Sequence, residues 1–197
     1  MKKKNMIPVY AVIVIGIFML IGCGGDMLTG PGAENEIQTA VAEQRGIPTD
    51  QLNLVPLRPE FAEQLRVLGK KAYSLKQIQA HRGGTVGGEK TFGNKVDIPA
   101  GALDADTWIC VELECFNSNE QCGSVVEFLP SMTFLADVTI TLSFDVLDFV
   151  GDPDLLRVVW YDESSGLWVE VDNAIIDYDN KTVTIQVNHF TRYGWAL

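Results

Sequence analysis

From Thr182 onward the chain alternates polar and apolar side chains with the period of two that a half-buried strand requires. Val183, Ile185 and Val187 share one face, and Thr182, Thr184, Gln186 and Asn188 the other. Carried forward, the apolar phase passes through His189 and Thr191 and resumes at Tyr193, Trp195 and Leu197, which leaves Phe190 out of step. Two geometries accommodate this. One unbroken strand buries His189 and Thr191 and exposes Phe190. Alternatively, a bulge near Asn188 and another after Phe190 turn the aromatic inward and distort the backbone at the Phe190–Thr191 peptide.

Similar patterning recurs upstream. Val138, Ile140, Leu142 and Phe144 alternate with Thr139, Thr141 and Ser143, and Ile109, Val111, Leu113 and Cys115 share a face of the stretch Trp108 to Cys115. Ser124 to Leu129 reads as a further strand, and Leu155 to Tyr161 and Leu167 to Val171 are joined by the hairpin loop Asp162 to Gly166. Gly83-Gly84 and Gly87-Gly88 bracket Thr85-Val86, ahead of Lys95 to Ile98 and Pro99 to Leu103. About eight or nine short strands over residues 83–197 predict a mainly β fold, an antiparallel β-sandwich with one core.

Residues 33–82 have a different texture, rich in Gln, Glu and Leu. Ile37, Ala40 and Val41 fit a helix from Glu34 to Arg45, stopped by Gly46 and Pro48. A second helix is predicted over Pro59 to Leu68, with Phe61, Leu65 and Leu68 on one face and Gly69 ending it. Ala72 to Ala80 fits strand or helix. Neither helical face is wide enough to fold alone, so 33–82 is expected to be a helical stalk or a segment packed on the sandwich.

The first 22 residues read as a targeting segment: a basic head, Lys2 to Lys4, and an apolar run, Val9 to Ile21, short of the ~20 residues a membrane-spanning helix needs. The run ends Leu20-Ile21-Gly22-Cys23, which resembles the lipobox of bacterial lipoproteins. That resemblance implies a signal peptide over 1–22, cleavage before Cys23, and acylation of Cys23 by chains such as palmitate that enter the lipid bilayer of the cell envelope. Gly24 stands where that family's inner-membrane retention signal has Asp, which implies the outer membrane, facing the periplasm or the exterior, in an organism with two membranes. Residues 23–32 are then the lipidated cysteine and a flexible tether of ~15 Å reach.

The formal charge is −11, and removing residues 1–22 takes away three lysines and no acid, leaving −14. A surface of that sign repels nucleic acid and anionic headgroups, so nucleic acid is excluded as a partner and anchoring falls to the acyl chains.

The order GG-T-V from Gly83, V-D-I-P-A-G-A-L from Val96, an acidic strand, W-Y-D-E-S-S-G-L-W from Trp160, and N-H-F-T-R-Y from Asn188 resembles the ZU-five domain. The likeness covers Gly83 to Leu197 and is strongest over Ile98 to Leu103 and His189 to Tyr193. It implies a β-sandwich module used in protein interaction and no general enzyme activity. Some relatives cut their own backbone between Phe and Ser of a triplet like His189-Phe190-Thr191. Here that implies attack of the Thr191 hydroxyl on the Phe190 carbonyl, an N-to-O acyl shift assisted by His189 and by strain in the peptide. This chain has Thr191 where the family more often has Ser. The structural alternative gives Phe190 to the core, with His189 bonded to a neighbouring strand and Thr191 satisfying a backbone group.

With Cys23 given to lipid, Cys110, Cys115 and Cys122 remain, so one pair leaves one spare. Cys110 and Cys115 point to opposite faces of one strand, whereas Cys115 and Cys122 flank a hairpin loop and are the candidate disulfide. A zinc site would need a fourth ligand, and neither His81 nor His189 is near in sequence. Asp145, Asp148, Asp152 and Asp154, and then Asp172, Asp177 and Asp179, lack the calcium-loop pattern and read as solvated turn carboxylates. Trp108, Trp160, Trp168 and Trp195 are candidates to line a ligand groove. Trp168, opposite Leu167, Val169 and Val171 on its strand, is the first of these, and the others are expected to fill the core or the inter-sheet space. The sequence as a whole reads as an envelope-anchored interaction or structural module with no cofactor and no metal, whose partner is a protein or a glycan. The alternative is a self-processing domain.

Overall fold

The structure, a computed structural model, describes residues 46–69, 71–118 and 121–197. The expected signal peptide, Cys23, the tether and the helix from Glu34 to Arg45 lie outside the described residues. Those described form one helix, α1 (Pro59–Val67), and eleven strands: β1 (Lys71–Ile78), β2 (Gly84–Gly87), β3 (Lys95–Ile98), β4 (Thr107–Ser118), β5 (Gln121–Leu129), β6 (Thr133–Ser143), β7 (Arg157–Asp162), β8 (Leu167–Glu170), β9 (Ile175–Asp177), β10 (Thr182–His189) and β11 (Arg192–Ala196). They make two antiparallel sheets, one ordered β1-β4-β5-β11-β7-β8 and the other β2-β3-β6-β10-β9.

The core between the sheets follows the alternation. Val138, Ile140, Leu142, Val183 and Ile185 of the five-stranded sheet are buried against Ile109, Val111, Leu113, Val126, Phe128 and Val158 of the six-stranded one. Each such side chain contributes about 1.5–3 kcal/mol relative to exposure. Phe144, just past the end of β6, packs edge-on against Trp195 at 5.9 Å.

In α1, Pro59 occupies the first turn, where its missing N–H costs no intrahelical bond. The buried face carries Ala62 and Leu65, while Leu68 lies one residue beyond the helix and is exposed. The expected Phe61-Leu65-Leu68 stripe is thereby corrected: the helix ends before Leu68 can join it. Lys71 to Ile78 is a strand, paired with β4 from Lys71↔Glu114 to Ile78↔Thr107. Part of the segment ahead of Gly83 is therefore a member of the sheet.

The residues before α1 form a strap. Ile47 exchanges two backbone hydrogen bonds with Trp168, at 2.6 and 2.9 Å. Farther on, β5 and β11 part beyond their Gly194↔Val125 pair, and Val55 takes the gap, donating to the Trp195 carbonyl at 2.7 Å and accepting from Ser124 N at 3.2 Å. Leu52 and Leu54 join Val125, Val159, Trp168 and Ala196 in a second core, apart from the one between the sheets. The close approach needs glycine beneath it, because a Cβ on Gly194 would stand 2.9 Å from Leu54 Cδ2 and one on Gly123 3.1 Å from Leu54 Cβ.

The break in phase at Phe190 marks a change of sheet. β10 belongs to the five-stranded sheet and β11 to the six-stranded one, so the chain crosses between the layers at Phe190-Thr191. Its pairing with β6 shifts between Val187 and His189, the bulge that turns Phe190 inward.

Candidate functional site

The corner between β10 and β11 carries the His189-Phe190-Thr191 triplet. Phe190 is 1% exposed and sits among Phe134, at 4.6 Å between ring centroids, and Phe128, at 5.5 Å. Its N–H donates to the Met132 carbonyl at 2.9 Å, and its own carbonyl accepts from Ser131 Oγ at 3.4 Å. Thr191 is 4% exposed, and its hydroxyl donates to the Tyr161 carbonyl at 2.6 Å. His189 turns away from the core: Nδ1 lies 3.1 Å from Asn188 Oδ1, and the ring meets Trp160 edge to face at 5.2 Å.

Self-cleavage needs the Thr191 proton to pass to a base while the oxygen faces the Phe190 carbonyl. In this arrangement the proton is committed to Tyr161, and the His189 Nδ1 contact is with Asn188. Among the described residues, the non-glycine positions with positive φ are Phe92 and Lys181, so the triplet carries no left-handed backbone strain. The inward phenylalanine and the hydrogen-bonded threonine follow the structural alternative. His189 pairs with Thr133 of the neighbouring β6, while its side chain meets Asn188 and Trp160.

The Trp160–His189 pair stands between two clefts. One, about 460 Å³, runs along Ser131, Met132, Tyr161 and the hairpin turn of Asp162 to Ser164. The other, about 510 Å³, is bordered by Asp137, Glu170 to Asn173, Gln186 to Asn188 and Tyr193. Periodicity alone does not give this pairing, since it depends on β7 and β10 lying in different sheets. In the hairpin turn the Asp162 carboxylate accepts from Ser165 Oγ and Ser164 Oγ, both at 2.7 Å, and from Ser164 N at 2.9 Å. The two hydroxyls, Ser165 foremost, hold its pKa down to about 2.

Cys115 and Cys122 stand at disulfide distance, with sulfurs 2.18 Å and Cα atoms 4.8 Å apart. Cys110 is the spare thiol, and burial, aided by Glu112 and Glu127, pushes its pKa up, which disfavours the reactive thiolate. It lies on the face of β4 that also carries Glu112 and Glu114; with Glu127 of β5, these bring three carboxylates within 4.8 Å of one another. Two cations answer them. Lys71 bonds to Glu112 and lies 3.9 Å from Glu114, and Arg192 Nε donates to Glu127 at 2.9 Å.

Several of the turn aspartates have side-chain or backbone partners. Asp145 pairs with Lys181, and with Arg58 at 3.2 Å; Asp152 accepts from Asp154 N at 3.1 Å; Asp154 accepts from the Tyr178 hydroxyl; and Asp177 accepts from Asn180.

Two tryptophan expectations are corrected. Trp168 is 2% exposed, covered by the strap, and its indole N–H donates to Thr49 Oγ1 at 3.2 Å. Trp108, expected in the core or between the sheets, is 58% exposed. Both side chains leave the main core as strand parity requires, but the strap, which runs from β8 past β11 to β5, covers Trp168 and leaves Trp108 exposed.

Neither the known protein-family models nor the curated proteins compared with the chain match it.

Proposed function

We propose that this chain is a membrane-anchored envelope lipoprotein whose β-sandwich is an interaction or structural module with no general catalytic activity. One observation carries the reading. Tyr73, Leu75 and Trp108 are all more than half exposed, and the β1–β4 register sets them close together: Tyr73 opposite Glu112, Leu75 opposite Cys110, and Gln77 opposite Trp108. A cluster of aromatic and aliphatic side chains beside a charged group (Lys71, Glu112, Glu114, Glu127 and Arg192) has the composition of a protein-binding patch, with an apolar centre and a polar rim. The committed Thr191 hydroxyl supports the absence of self-processing. The lipobox-like Leu20 to Cys23 supports the anchor.

A photo-crosslinking side chain placed at Trp108 in cells tests the patch, with Val150, 99% exposed, as the control position. A discrete adduct at 108 and none at 150 is the expected result; identical smears at both would remove the patch. Cys23→Ala should release the protein from the membrane fraction. The intact mass of purified protein should show no fragment ending at Phe190, and finding one would reverse the reading in favour of a reactive triplet.

A further inference from the structure

The five-stranded sheet ends on a strand too short to cover its neighbour. β9 opposes only Thr182, Val183 and Thr184 of β10, whereas β6 follows β10 on its other side as far as His189. Among the described residues, β10 past Thr184 is itself the edge of the sheet. Its backbone groups that point away from β6 have no ladder there, the condition under which a sheet accepts a further strand.

The larger of the two clefts lies along this half-edge. It wraps it, with Trp160 and Tyr193 of the six-stranded sheet on one side and Asp137 and Gln186 of the five-stranded sheet on the other. Its charged groups are Asp137, Glu170 and Asp172, and among the described residues no lysine or arginine lines it. Arg157, outside the cleft, pairs with Glu170 at 3.0 Å and offsets part of that charge. An indole near carboxylates favours a cationic side chain, through the ring quadrupole as well as through the ionic attraction. A second copy of the chain is a poor occupant, because it would bring another −11 of formal charge to an acidic edge.

The geometry points to β-strand addition: an extended, lysine- or arginine-bearing peptide segment of a partner pairs with β10 over Gln186 to Asn188, in line with β9, and sets a basic side chain against Trp160 and the acidic wall. Main-chain pairing supplies affinity, and the cleft supplies the preference for positive charge. The inference rests on the module reading but uses a surface distinct from the Tyr73–Trp108 patch, so either can fail without the other.

The test uses the full chain in detergent and three synthetic peptides of one length. The first alternates Lys with Thr and Val; the second has Glu for each Lys; the third is the first with alternate backbone nitrogens methylated. Chitotetraose is added as a neutral oligosaccharide. Binding is followed by calorimetry at two salt concentrations, and the amides of residues 185–189 by hydrogen exchange. The lysine peptide should bind, weaken at higher salt, and protect those amides, while the methylated and glutamate peptides bind at least tenfold more weakly. Asp137→Lys, at an exposed position, should weaken the lysine peptide at least tenfold with an unchanged melting temperature, and Asp172→Asn should weaken it to a lesser degree. Equal binding of the lysine and glutamate peptides, indifference to methylation, protection elsewhere, or no peptide binding would each overturn the proposal. So would chitotetraose protecting residues 185–189 in place of the peptide, which would make the cleft a glycan site.

Discussion

The Thr191 hydroxyl donates to the Tyr161 carbonyl at 2.6 Å, fastening the corner where the chain changes sheets to the end of β7. Thr191→Val keeps the shape and removes the donor, so the carbonyl loses its partner beside a buried side chain. That should cost about 1–3 kcal/mol. Thr191→Ser should recover most of it. Urea midpoints for the two variants check the order.

Leu54 fills the second core over Gly123 and Gly194, with Trp168 beneath the same strap. Leu54→Ala should destabilise by about 2–5 kcal/mol, as a buried leucine truncation does. Thr49→Ala removes only the acceptor for the Trp168 indole and should cost about 0.5–1.5 kcal/mol. Both are read from denaturant curves, with a red-shifted tryptophan emission expected for Leu54→Ala as water reaches the indole.

Joining Cys115 to Cys122 closes a short loop, and the chain-entropy account assigns that closure roughly 2–3 kcal/mol. Reduction, or Cys115→Ser with Cys122→Ser, should lower stability by about that amount. Non-reducing mass spectrometry should find the wild-type chain two hydrogens lighter than the reduced one. Cys110→Ser should leave that difference in place.

Asp162 has its folded-state pKa lowered to about 2 by the Ser165 and Ser164 hydroxyls. Since the folded value lies below the unfolded one, the stabilisation is fully present above the ordinary aspartate range and is lost as pH falls towards about 2. An NMR titration of the Asp162 carboxyl should show a midpoint near that value, and Ser164→Ala with Ser165→Ala should raise it towards the ordinary range, the backbone N–H bond from residue 164 remaining. A wild-type midpoint already in the ordinary range would remove the hydroxyls as its cause.

Much of the sandwich was legible because strand parity is local. Ile109, Val111 and Leu113, or Val138, Ile140 and Leu142, declare their inward faces by spacing alone. The phase break at Phe190 was also legible, but its meaning was not: the two geometries differ in which sheet receives the next strand, and nothing between Asn188 and Thr191 encodes that. The tryptophans show the same limit. Parity sends both Trp108 and Trp168 away from the main core, and whether such a face meets water depends on a strap more than a hundred residues from Trp168. The strap, with Pro48 and Pro56, has no periodicity to read, and β9 is three residues long. The Cys115–Cys122 pairing was accessible because both cysteines flank one hairpin loop.

The sheet order has a consequence for how the domain comes into being. β11, the last strand of its sheet to be synthesised, takes a place between β5 and β7, and its Trp195 also receives the Val55 hydrogen bond from the strap. Until β11 leaves the ribosome, β5 and β7 lack the strand that joins them, and the strap lacks part of its seat. Fragments that stop before Arg192 cannot close the six-stranded layer, since nothing else in that order stands between β5 and β7. A chain truncated before Arg192 lacks the strand that joins β5 to β7 and should not persist as a smaller sandwich.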